Sequence, residues 1–305
     1  MSKEFAQIEW DTALEAECRR ILQSAFDEDL QSAGDLTTDA LVDATATGRA
    51  AVVARQAGVV AGLPAGKMAV AQFDPRIQWR PESADGSAIE AGSVLATIAG
   101  PVRSLLSVER TLLNLLGRLS GIATLTRRFV DAVAPAPVRI YDTRKTTPGW
   151  RRLEKYAVRR GGGWNHRLGL FDAILIKDNH LAVAAAAGSN LTPAAAVRRV
   201  RERIKVAAAK PGGSMIVEIE VDTLDQLREV LSAGPDIVLL DNMPPAVLRQ
   251  AVAIRDESAQ GVELEASGGI TLTTIAEIAR TGVERISVGA LTHSAIALDI
   301  GLDWQ

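Results

Sequence analysis

Short apolar runs that each end in a polar cluster recur through the second half of this chain. The runs are residues 138–141, 173–176, 215–219, 237–240 and 262–266, and polar residues follow them: Arg144 and Lys145, Lys177, Glu220, Asp241, and Ser267 with Gly268 and Gly269. Helical patterns at residues 192–209, 223–232, 245–257 and 271–280 separate the later runs. Strands that alternate with helices predict parallel βαβ units, whose active sites lie at the carboxyl ends of the strands. The pattern therefore predicts the fold and the location of the site together.

The number of predicted strands favours an open barrel over a closed one. Even with a last strand at residues 285–288, the second half has fewer parallel strands than a closed α/β barrel needs. The predicted fold class is α/β, with an open, incomplete parallel barrel. We expect another element to cover the gap in its wall.

The first part of the chain has a different pattern. Residues 10–31 have helical spacing, residues 48–100 are typical of short strands broken by glycines, and residues 102–133 return to a helical period with a predicted break at Gly121. These patterns predict a separate compact domain ahead of the barrel. The alanine-rich tract 182–187 and the turn 210–213 are interpreted as linker and loop.

Composition excludes several classes of protein. A formal net charge of -3 and a pI of about 5.8 argue against binding nucleic acid or an anionic membrane through bulk charge. Cys18 is the only cysteine, so the chain has no internal disulfide and no cysteine-based metal site. The start lacks the apolar stretch of a signal peptide, and no segment has the run of apolar residues that spans a membrane. We therefore expect a cytoplasmic protein.

Cations concentrate around two of the predicted strand ends. Arg144 and Lys145 follow one strand, Lys177 follows the next, and His166 and Arg167 lie in the glycine-rich loop between them. Surface ion pairs explain most isolated cations, but Lys177 emerges from a buried strand, where an unpaired charge is costly. Arginine binds carboxylate or phosphate as a planar fork, and lysine binds as a point charge. The cluster predicts a ligand with more than one negative charge.

Two carboxylates follow the next two strands. Glu220 and Asp241 end successive runs, and Glu218 lies on the same strand face as Glu220. Such carboxylates can act in acid–base chemistry, bind Mg²⁺ or stabilise a developing positive charge. The alternative is that they only neutralise Lys177 and Arg144. Hard oxygen ligands without neighbouring cysteines or histidines favour Mg²⁺ over zinc.

Glycines at the last two strand ends are typical of a phosphate site. Ser267, Gly268 and Gly269 follow one strand, and Gly289 follows the other. Glycine lets backbone N–H groups approach a phosphate closely, and the late strand ends of barrels often bind one. A plain tight turn has the same sequence, so each motif alone is weak. The two together predict phosphate binding.

A polar stripe on the long predicted helix has a simpler explanation. Arg110, Asn114 and Arg118 recur every four residues on an otherwise apolar segment. A solvated helix face is the default interpretation of such a stripe.

In this order along the chain, the motifs resemble one enzyme family. The segments TRKT at 143–146, KYAV at 155–158, NHRL at 165–168, IKDNH at 176–180, EIEV at 218–221, LDN at 240–242 and SGG at 267–269 closely resemble those of the quinolinate phosphoribosyltransferases. Segments of the first domain are similar as well: GDLT at 34–37, ARQAGVVAG at 54–62 and ERTLLN at 109–114. The resemblance extends from about residue 30 to the end of the chain.

The resemblance implies a fold and an assembly. Members of the family have an N-terminal α/β sandwich and an open α/β barrel. The sandwich would comprise residues 1–118, joined by residues 292–305, and the barrel would comprise residues 119–291 and carry the active site. The resemblance also implies a homodimer in which the sandwich of one subunit covers the barrel of the other, so that active sites are shared. Whether dimers assemble further stays open.

The resemblance also implies a reaction and a role for each residue. The phosphoribosyl group of phosphoribosyl pyrophosphate would be transferred to quinolinate with decarboxylation, giving nicotinate mononucleotide, CO₂ and pyrophosphate in NAD biosynthesis. Arg144, His166, Arg167 and Lys177, with Arg110 supplied by the partner subunit, would bind the two carboxylates of quinolinate. Lys145 would face phosphoribosyl pyrophosphate, Glu220 and Asp241 would hold the ribose and the cofactor Mg²⁺ directly or through water, and Ser267, Gly268, Gly269 and Gly289 would bind the 5′-phosphate.

Other functions stay open from the sequence alone. A related phosphoribosyltransferase acting on another pyridine or azole carboxylate would use the same cations in a pocket of different shape. A Schiff-base lyase with Lys177 as nucleophile would be trapped on that lysine by borohydride, but it would leave the carboxylates and glycines without a role. A non-catalytic binding protein is least favoured, since so many ionisable groups converge on one face of the barrel.

Overall fold

The predicted strands and helices of the second half all form, with ends that differ from the prediction by a few residues. The computed structural model describes residues 3–188, 191–207 and 215–305. Its strands are β1 (Thr47–Ala54), β2 (Gly58–Val59), β3 (Gln78–Pro81), β4 (Ala88–Ile89), β5 (Val94–Pro101), β6 (Arg139–Tyr141), β7 (Ile174–Ile176), β8 (Val217–Val221), β9 (Ile237–Asp241), β10 (Glu263–Ser267), β11 (Arg285–Ser287) and β12 (Ile300–Trp304). Its helices are α1 (Thr12–Leu30), α2 (Leu36–Leu41), α3 (Leu63–Phe73), α4 (Val102–Val133), α5 (Arg151–Arg160), α6 (Asp178–Ala186), α7 (Pro193–Ala207), α8 (Leu224–Leu231), α9 (Pro245–Ser258), α10 (Ile275–Ala279) and α11 (Ala290–His293).

These elements form two compact units, each assembled from several stretches of chain. The barrel unit consists of Met1–Ala6, Phe129–Arg144 and Trp164–Gly289. The sandwich unit consists of Gln7–Arg128, Lys145–Gly163 and Ala290–Gln305. The predicted boundary between residues 118 and 119 falls within α4. The segments of the two units alternate along the chain.

The barrel unit contains one parallel sheet, with the strand order β6-β11-β10-β9-β8-β7. Neighbouring strands are parallel throughout. Within the described residues, no pairing joins the edge strands β6 and β7, so the barrel is open, as predicted. Ile219, Val238 and Leu264, on three central strands, are fully buried. Strands covered on both faces need such nearly continuous apolar runs.

The sandwich unit contains an antiparallel sheet with the strand order β12-β1-β5-β3. Its first helix, α1, is capped at its N-terminus by Asp11, whose side chain accepts the N–H of Leu14 at 2.7 Å. That bond satisfies one of the free donors at the helix start. Leu14, Cys18, Leu22 and Phe26 are the buried residues of α1, and their spacing of four gives the helix one apolar face. No helix in the described residues is both long and apolar enough to cross a membrane.

The predicted break at Gly121 is wrong, because α4 continues through it. A Cβ atom on Gly121 would lie 2.0 Å from the carbonyl oxygen of Ile296. Glycine is present there because the chain near Ile296 packs directly against the helix. Gly121 allows the backbone at Ile296 to approach α4 closely, and it does not end the helix.

Two other local expectations are wrong. Residues 48–100 were predicted to form only short strands, but they also contain the helix α3, which begins after Gly62 at a φ of 96°. The Asp85 carboxylate accepts the N–H groups of Gly62 and Leu63 at 2.7 and 2.9 Å, so the helix start is capped from a distant part of the chain. The tract 182–187, interpreted as linker, continues α6 to residue 186, as alanine's helix propensity allows. The predicted turn 210–213 lies outside the described residues.

Candidate active site

Each strand of the parallel sheet leads into a predicted site residue, and the strand order sorts these residues by charge. From one sheet edge to the other they are Arg144, Gly289, Ser267 with Gly268 and Gly269, Asp241, Glu220 and Lys177. Because the strands are parallel, all of these residues lie at the carboxyl edge of the sheet. Cations therefore follow the two edge strands, and the glycines and carboxylates lie between them.

Lys177 and Glu220, on neighbouring strands, form an ion pair between Nζ and Oε2. The sequence analysis left open that Glu220 only neutralises Lys177, and this ion pair is that contact. The Lys177 side chain is 43% exposed and that of Glu220 is 12% exposed. An ion pair as accessible as this adds little stability, so either group can exchange its partner for a charged ligand.

Asp241 is oriented by its chain neighbour. The amide Nδ2 of Asn242 donates to Asp241 Oδ2 at 2.8 Å. Asp241 and Glu220 also line a cavity of about 70 Å³ with Asp178 and Asp222. Four of the eight residues that line this cavity are carboxylates, the ligand type that Mg²⁺ prefers. The residues present therefore fit the cofactor that the resemblance implies.

The turn after β10 requires glycine at Gly268. Its φ is 95°, and a Cβ atom there would lie 2.1 Å from Asn242 Oδ1 and 2.9 Å from Asn242 N. Asn242 itself has a φ of 54°, and its N–H donates to the carbonyl of Ser267 at 2.9 Å. The ends of β9 and β10 are thus joined through a left-handed asparagine that fills the space beside Gly268.

Gly268→Ala should destabilise the protein by about 2–4 kcal/mol, since the new methyl group adds left-handed strain to a clash with Asn242. The matched control is Gly269→Ala: Gly269 has a φ of 58°, but its Cβ position has no atom within 4 Å. The control should lose only the left-handed strain, about 1–2 kcal/mol. Urea unfolding of both variants measures the difference, and equal losses would show that Asn242 does not restrict this turn.

Two arginines of the predicted carboxylate site lie close enough to oppose each other's charge. Arg167 is buried, and its Nη1 donates to the carbonyl of Ala173 at 3.0 Å. Burial, and then the positive charge of Arg144, lower the pKa of Arg167 below its usual value. A ligand with two negative charges would offset both effects, because a nearby negative charge favours the charged form of an arginine.

His166 lies between two fully buried carboxylates. Its Nε2 is 3.1 Å from Glu218 Oε2 and 3.5 Å from Glu265 Oε1, and Phe5 stacks on the ring with 4.4 Å between ring centroids. The backbone N–H of Arg167 donates to Nδ1 at 2.8 Å. An N–H group can only donate, so Nδ1 carries a lone pair and the ring proton is on Nε2, facing the carboxylates.

The pKa values of His166, Glu218 and Glu265 depend on one another, because each group lies in the field of the other two. Burial disfavours a charged ring, but Glu218 and Glu265 outweigh it and raise the pKa of His166 to about 10. A charged ring needs a second proton at Nδ1, where the Arg167 amide donates, so the carboxylates favour the charged ring and the main chain favours the neutral one. Burial raises the pKa of Glu218, whereas for Glu265 the charges of His166 and Arg285 outweigh burial and lower it. Glu218 is therefore the carboxyl that holds a proton more readily.

The residue types in this cluster can bind a metal, but the protonation of His166 at Nε2 prevents it. One ligand atom each from His166, Glu218 and Glu265 lie within 4.8 Å of one another. A metal at Nε2 would need that nitrogen to be unprotonated, and the Arg167 amide at Nδ1 requires the opposite tautomer. The cluster is better explained as an electrostatic support, in which two buried carboxylates face Nε2 of His166.

Known protein families match nearly the whole chain. The model described as "Quinolinate phosphoribosyl transferase, C-terminal domain" matches residues 122–303, and its N-terminal counterpart matches residues 35–120. The chain belongs to the quinolinate phosphoribosyltransferase family. This confirms the resemblance drawn from the sequence motifs.

Relatives in this family match over most of their length. A protein from Bacillus subtilis (strain 168) named "Probable nicotinate-nucleotide pyrophosphorylase [carboxylating]" is 42% identical over 285 residues, covering 93% of this chain and 92% of its own length. The Mycobacterium leprae (strain TN) nicotinate-nucleotide pyrophosphorylase is 45% identical over 289 residues, covering 93% and 96%. The solved structure of the Francisella tularensis nicotinate-nucleotide pyrophosphorylase has a TM-score of 0.87 at 35% identity and covers 99% of this chain and 100% of that one. This chain therefore matches each of these proteins over more than nine-tenths of that protein's length.

Two residues of the set implied by the family resemblance lie in the sandwich unit. Arg110 is exposed on α4 and lines a cavity of about 230 Å³ with Asn114 and Trp150. Lys145 is exposed, and its carbonyl oxygen accepts the hydroxyl of Thr292 at 2.7 Å. The other predicted site residues belong to the barrel unit.

Arg118 is not part of a solvated helix face, contrary to the default interpretation of the polar stripe. Its Nη2 is 2.6 Å from Oε1 of Glu154, a carboxylate with no exposed surface. Helical spacing alone cannot show such a partner, because Glu154 is distant in sequence. Arg110 and Asn114, on the same stripe, are exposed, as the interpretation required.

Asp142 is a site residue that the sequence analysis passed over. It is fully buried, and its carboxylate accepts Asn165 Nδ2 at 2.7 Å and the N–H of His166 at 2.9 Å. It therefore holds the loop that carries His166 against the end of β6. The available signal was a carboxylate directly after a buried strand, the same signal that selected Glu220 and Asp241.

Proposed function

We propose that this chain transfers the phosphoribosyl group of phosphoribosyl pyrophosphate to quinolinate, with loss of one carboxylate as CO₂. The products are nicotinate mononucleotide and pyrophosphate, which places the reaction in NAD biosynthesis. The order of groups along the sheet edge carries the proposal: cations at both ends, with phosphate-binding glycines and carboxylates between them. Family membership supports a transferase over the Schiff-base lyase.

The cations supply the binding site for the pyridine dicarboxylate. Arg144 and Arg167 repel each other, so a dianion placed between them removes an unfavourable interaction as well as making new hydrogen bonds. Lys177 would leave Glu220 to bind the second carboxylate. His166, with its proton on Nε2 and its ring held by Phe5 and Glu218, completes this side of the site.

The glycine turns supply the site for the 5′-phosphate. Gly268 and Gly269 have positive φ angles, and Gly289 follows the adjacent strand β11. Backbone N–H groups in such turns can point at a phosphate without a side chain in the way. Ser267 adds a hydroxyl beside them.

The carboxylates face the ribosyl group. As pyrophosphate leaves, positive charge develops on the ribose carbon, and Glu220 and Asp241 would stabilise it electrostatically. The same two residues would hold Mg²⁺, directly or through water. When bound, Mg²⁺ would neutralise charge on the pyrophosphate, and Lys145 would bind the same substrate.

Decarboxylation follows from the bond formed. The pyridine nitrogen attacks the ribose carbon as the bond to pyrophosphate breaks, and the ring becomes a pyridinium. The electron pair of the bond between C2 and its carboxylate then moves into the cationic ring as CO₂ leaves, and a proton from solvent replaces CO₂ at C2. Positioning and charge stabilisation are what the protein contributes.

Nicotinate should be a far poorer substrate than quinolinate, because it lacks the second carboxylate. Leaving a buried cation unpaired costs about 1–3 kcal/mol, so each lost contact should lower kcat/KM roughly tenfold or more. The test compares formation of nicotinate mononucleotide from both acids with phosphoribosyl pyrophosphate and Mg²⁺. Comparable use of nicotinate, or no product from quinolinate, would contradict the proposal, and preference for a third pyridine or azole carboxylate would indicate the related transferase.

We also propose a homodimer with shared active sites, working in the cytoplasm. Support for sharing comes from Arg110, which belongs to the sandwich unit whereas Arg144, Arg167 and Lys177 belong to the barrel unit. Support for a reducing compartment comes from cysteine usage, since Cys18 is the only cysteine and is buried and free.

A further inference from the structure

A fully buried carboxylate ties together three segments of the sandwich unit. Oε1 of Glu154 accepts hydrogen bonds from Arg118 Nε at 3.1 Å, Arg118 Nη2 at 2.6 Å and Thr147 Oγ1 at 2.8 Å. Its Oε2 accepts the backbone N–H of Thr147 at 3.1 Å. Arg118 extends the network, because it also donates to the carbonyl oxygens of Ala295 at 2.9 Å and Thr292 at 2.5 Å.

The same network reaches the main chain of Lys145. Thr292 is fully buried, and its Oγ1 donates to the carbonyl oxygen of Lys145 at 2.7 Å. Thr147, two residues after Lys145, donates its backbone N–H and its hydroxyl to the Glu154 carboxylate. The turn that contains Lys145 is therefore anchored on both sides by buried groups.

Stability alone is a weak reason to keep such a network. A buried ion pair can often be replaced by apolar residues with no loss of stability, because desolvation offsets the attraction between the charges. Here Glu154 and Thr292 form hydrogen bonds with one exposed turn, residues 145–147. These bonds fix the position of that turn.

We propose that Arg118, Glu154 and Thr292 are positioning residues, which act through the main chain of residues 145–147 to hold Lys145 in place for phosphoribosyl pyrophosphate. The role of Lys145 in this statement rests on the proposed function. Misplacing a reacting group by about 1 Å can cost two orders of magnitude in rate, so anchoring the main chain matters even where no anchor touches substrate.

Thr292→Val tests the proposal with the least disturbance, since valine keeps the shape of threonine and removes only the hydroxyl. Thr292→Ser keeps the hydroxyl and should restore function. The matched control is Thr126→Val: Thr126 is also fully buried in the sandwich unit, but its hydroxyl donates to the carbonyl of Ile122 at 2.8 Å, within α4. Both valine variants lose one buried hydroxyl, and only one of them loses an anchor of the turn.

Steady-state kinetics provide the first measurement. Thr292→Val should lower kcat/KM for phosphoribosyl pyrophosphate roughly tenfold or more, as expected for a lost buried hydrogen bond that positions a reacting group. Its KM for quinolinate should stay close to that of the wild type, and Thr292→Ser and Thr126→Val should resemble the wild type in both constants. Wild-type kinetics in Thr292→Val, or an equal loss in Thr126→Val, would overturn the proposal.

Tryptic cleavage after Lys145 provides a second measurement that does not depend on activity. A turn released from its anchor opens more often, so Thr292→Val should be cut faster at this bond than Thr126→Val. Equal rates of cleavage would overturn the anchoring. If the wild type itself forms no nicotinate mononucleotide, the proposed function fails, and the cleavage comparison then decides the anchoring separately.

Discussion

Glu220→Gln and Asp241→Asn should each lower kcat by roughly a hundredfold or more, the loss typical of removing one group that stabilises transition-state charge. Positive charge on the ribose carbon exists only as pyrophosphate leaves, so the KM values should change little. Both substitutions keep the size of the side chain and remove its charge. Steady-state kinetics with each substrate varied in turn measure the two effects separately.

The control for this prediction is a carboxylate away from the strand ends. Asp225 on α8 is 94% exposed in its side chain and pairs with Arg228, so Asp225→Asn should leave kcat unchanged. If Glu220→Gln or Asp241→Asn raised KM and left kcat unchanged, that residue would belong to ground-state binding. The proposed role in the transition state would then be wrong.

Arg110→Ala and Lys177→Ala should each be nearly inactive alone and should recover activity when their subunits are mixed. In a dimer with shared sites, a mixed dimer has both lesions in one site and neither in the other. With free exchange of equal amounts, about half of the dimers are mixed, and each has one intact site of two. The mixture should therefore reach about a quarter of wild-type activity.

Mixing Lys177→Ala with Asp241→Asn provides the matched control, because both lesions lie in the barrel unit. Every site in that mixture has one lesion, so no activity should return. Exchange itself is measured by mass spectrometry of differently labelled subunits. If exchange is complete and the Arg110→Ala mixture stays inactive, Arg110 acts within its own chain.

Sequence patterns predicted the position of the site well, because the carboxyl ends of parallel strands all lie at the same edge of the sheet. Lys177, Glu220 and Asp241 each follow an apolar run, and the sheet brings such positions to the same edge whatever the details of packing. No measurement of side-chain geometry was needed for that inference. The sequence therefore predicted the location of the site, but not which groups contact each other within it.

The contacts that the sequence missed join residues that are distant along the chain. Arg118 had the spacing of a solvated helix face, and only the fold shows that Glu154 lies beside it without access to water. Glu265 breaks an apolar strand, which is a usable signal of a buried polar group, but its partner His166 belongs to a loop nearly a hundred residues earlier. Sequence spacing shows which residues share one face of a helix or strand. Only the tertiary structure shows which residues that face contacts.

The origin of the released CO₂ tests the proposed reaction most directly. Quinolinate labelled with ¹³C in its C2 carboxylate is incubated with the protein, phosphoribosyl pyrophosphate and Mg²⁺, and labelled CO₂ and nicotinate mononucleotide are quantified together. We predict equal amounts of the two, no labelled CO₂ without phosphoribosyl pyrophosphate, and none when the label is in the C3 carboxylate. A product that keeps both carboxylates, or CO₂ released without phosphoribosyl pyrophosphate, would contradict the assignment.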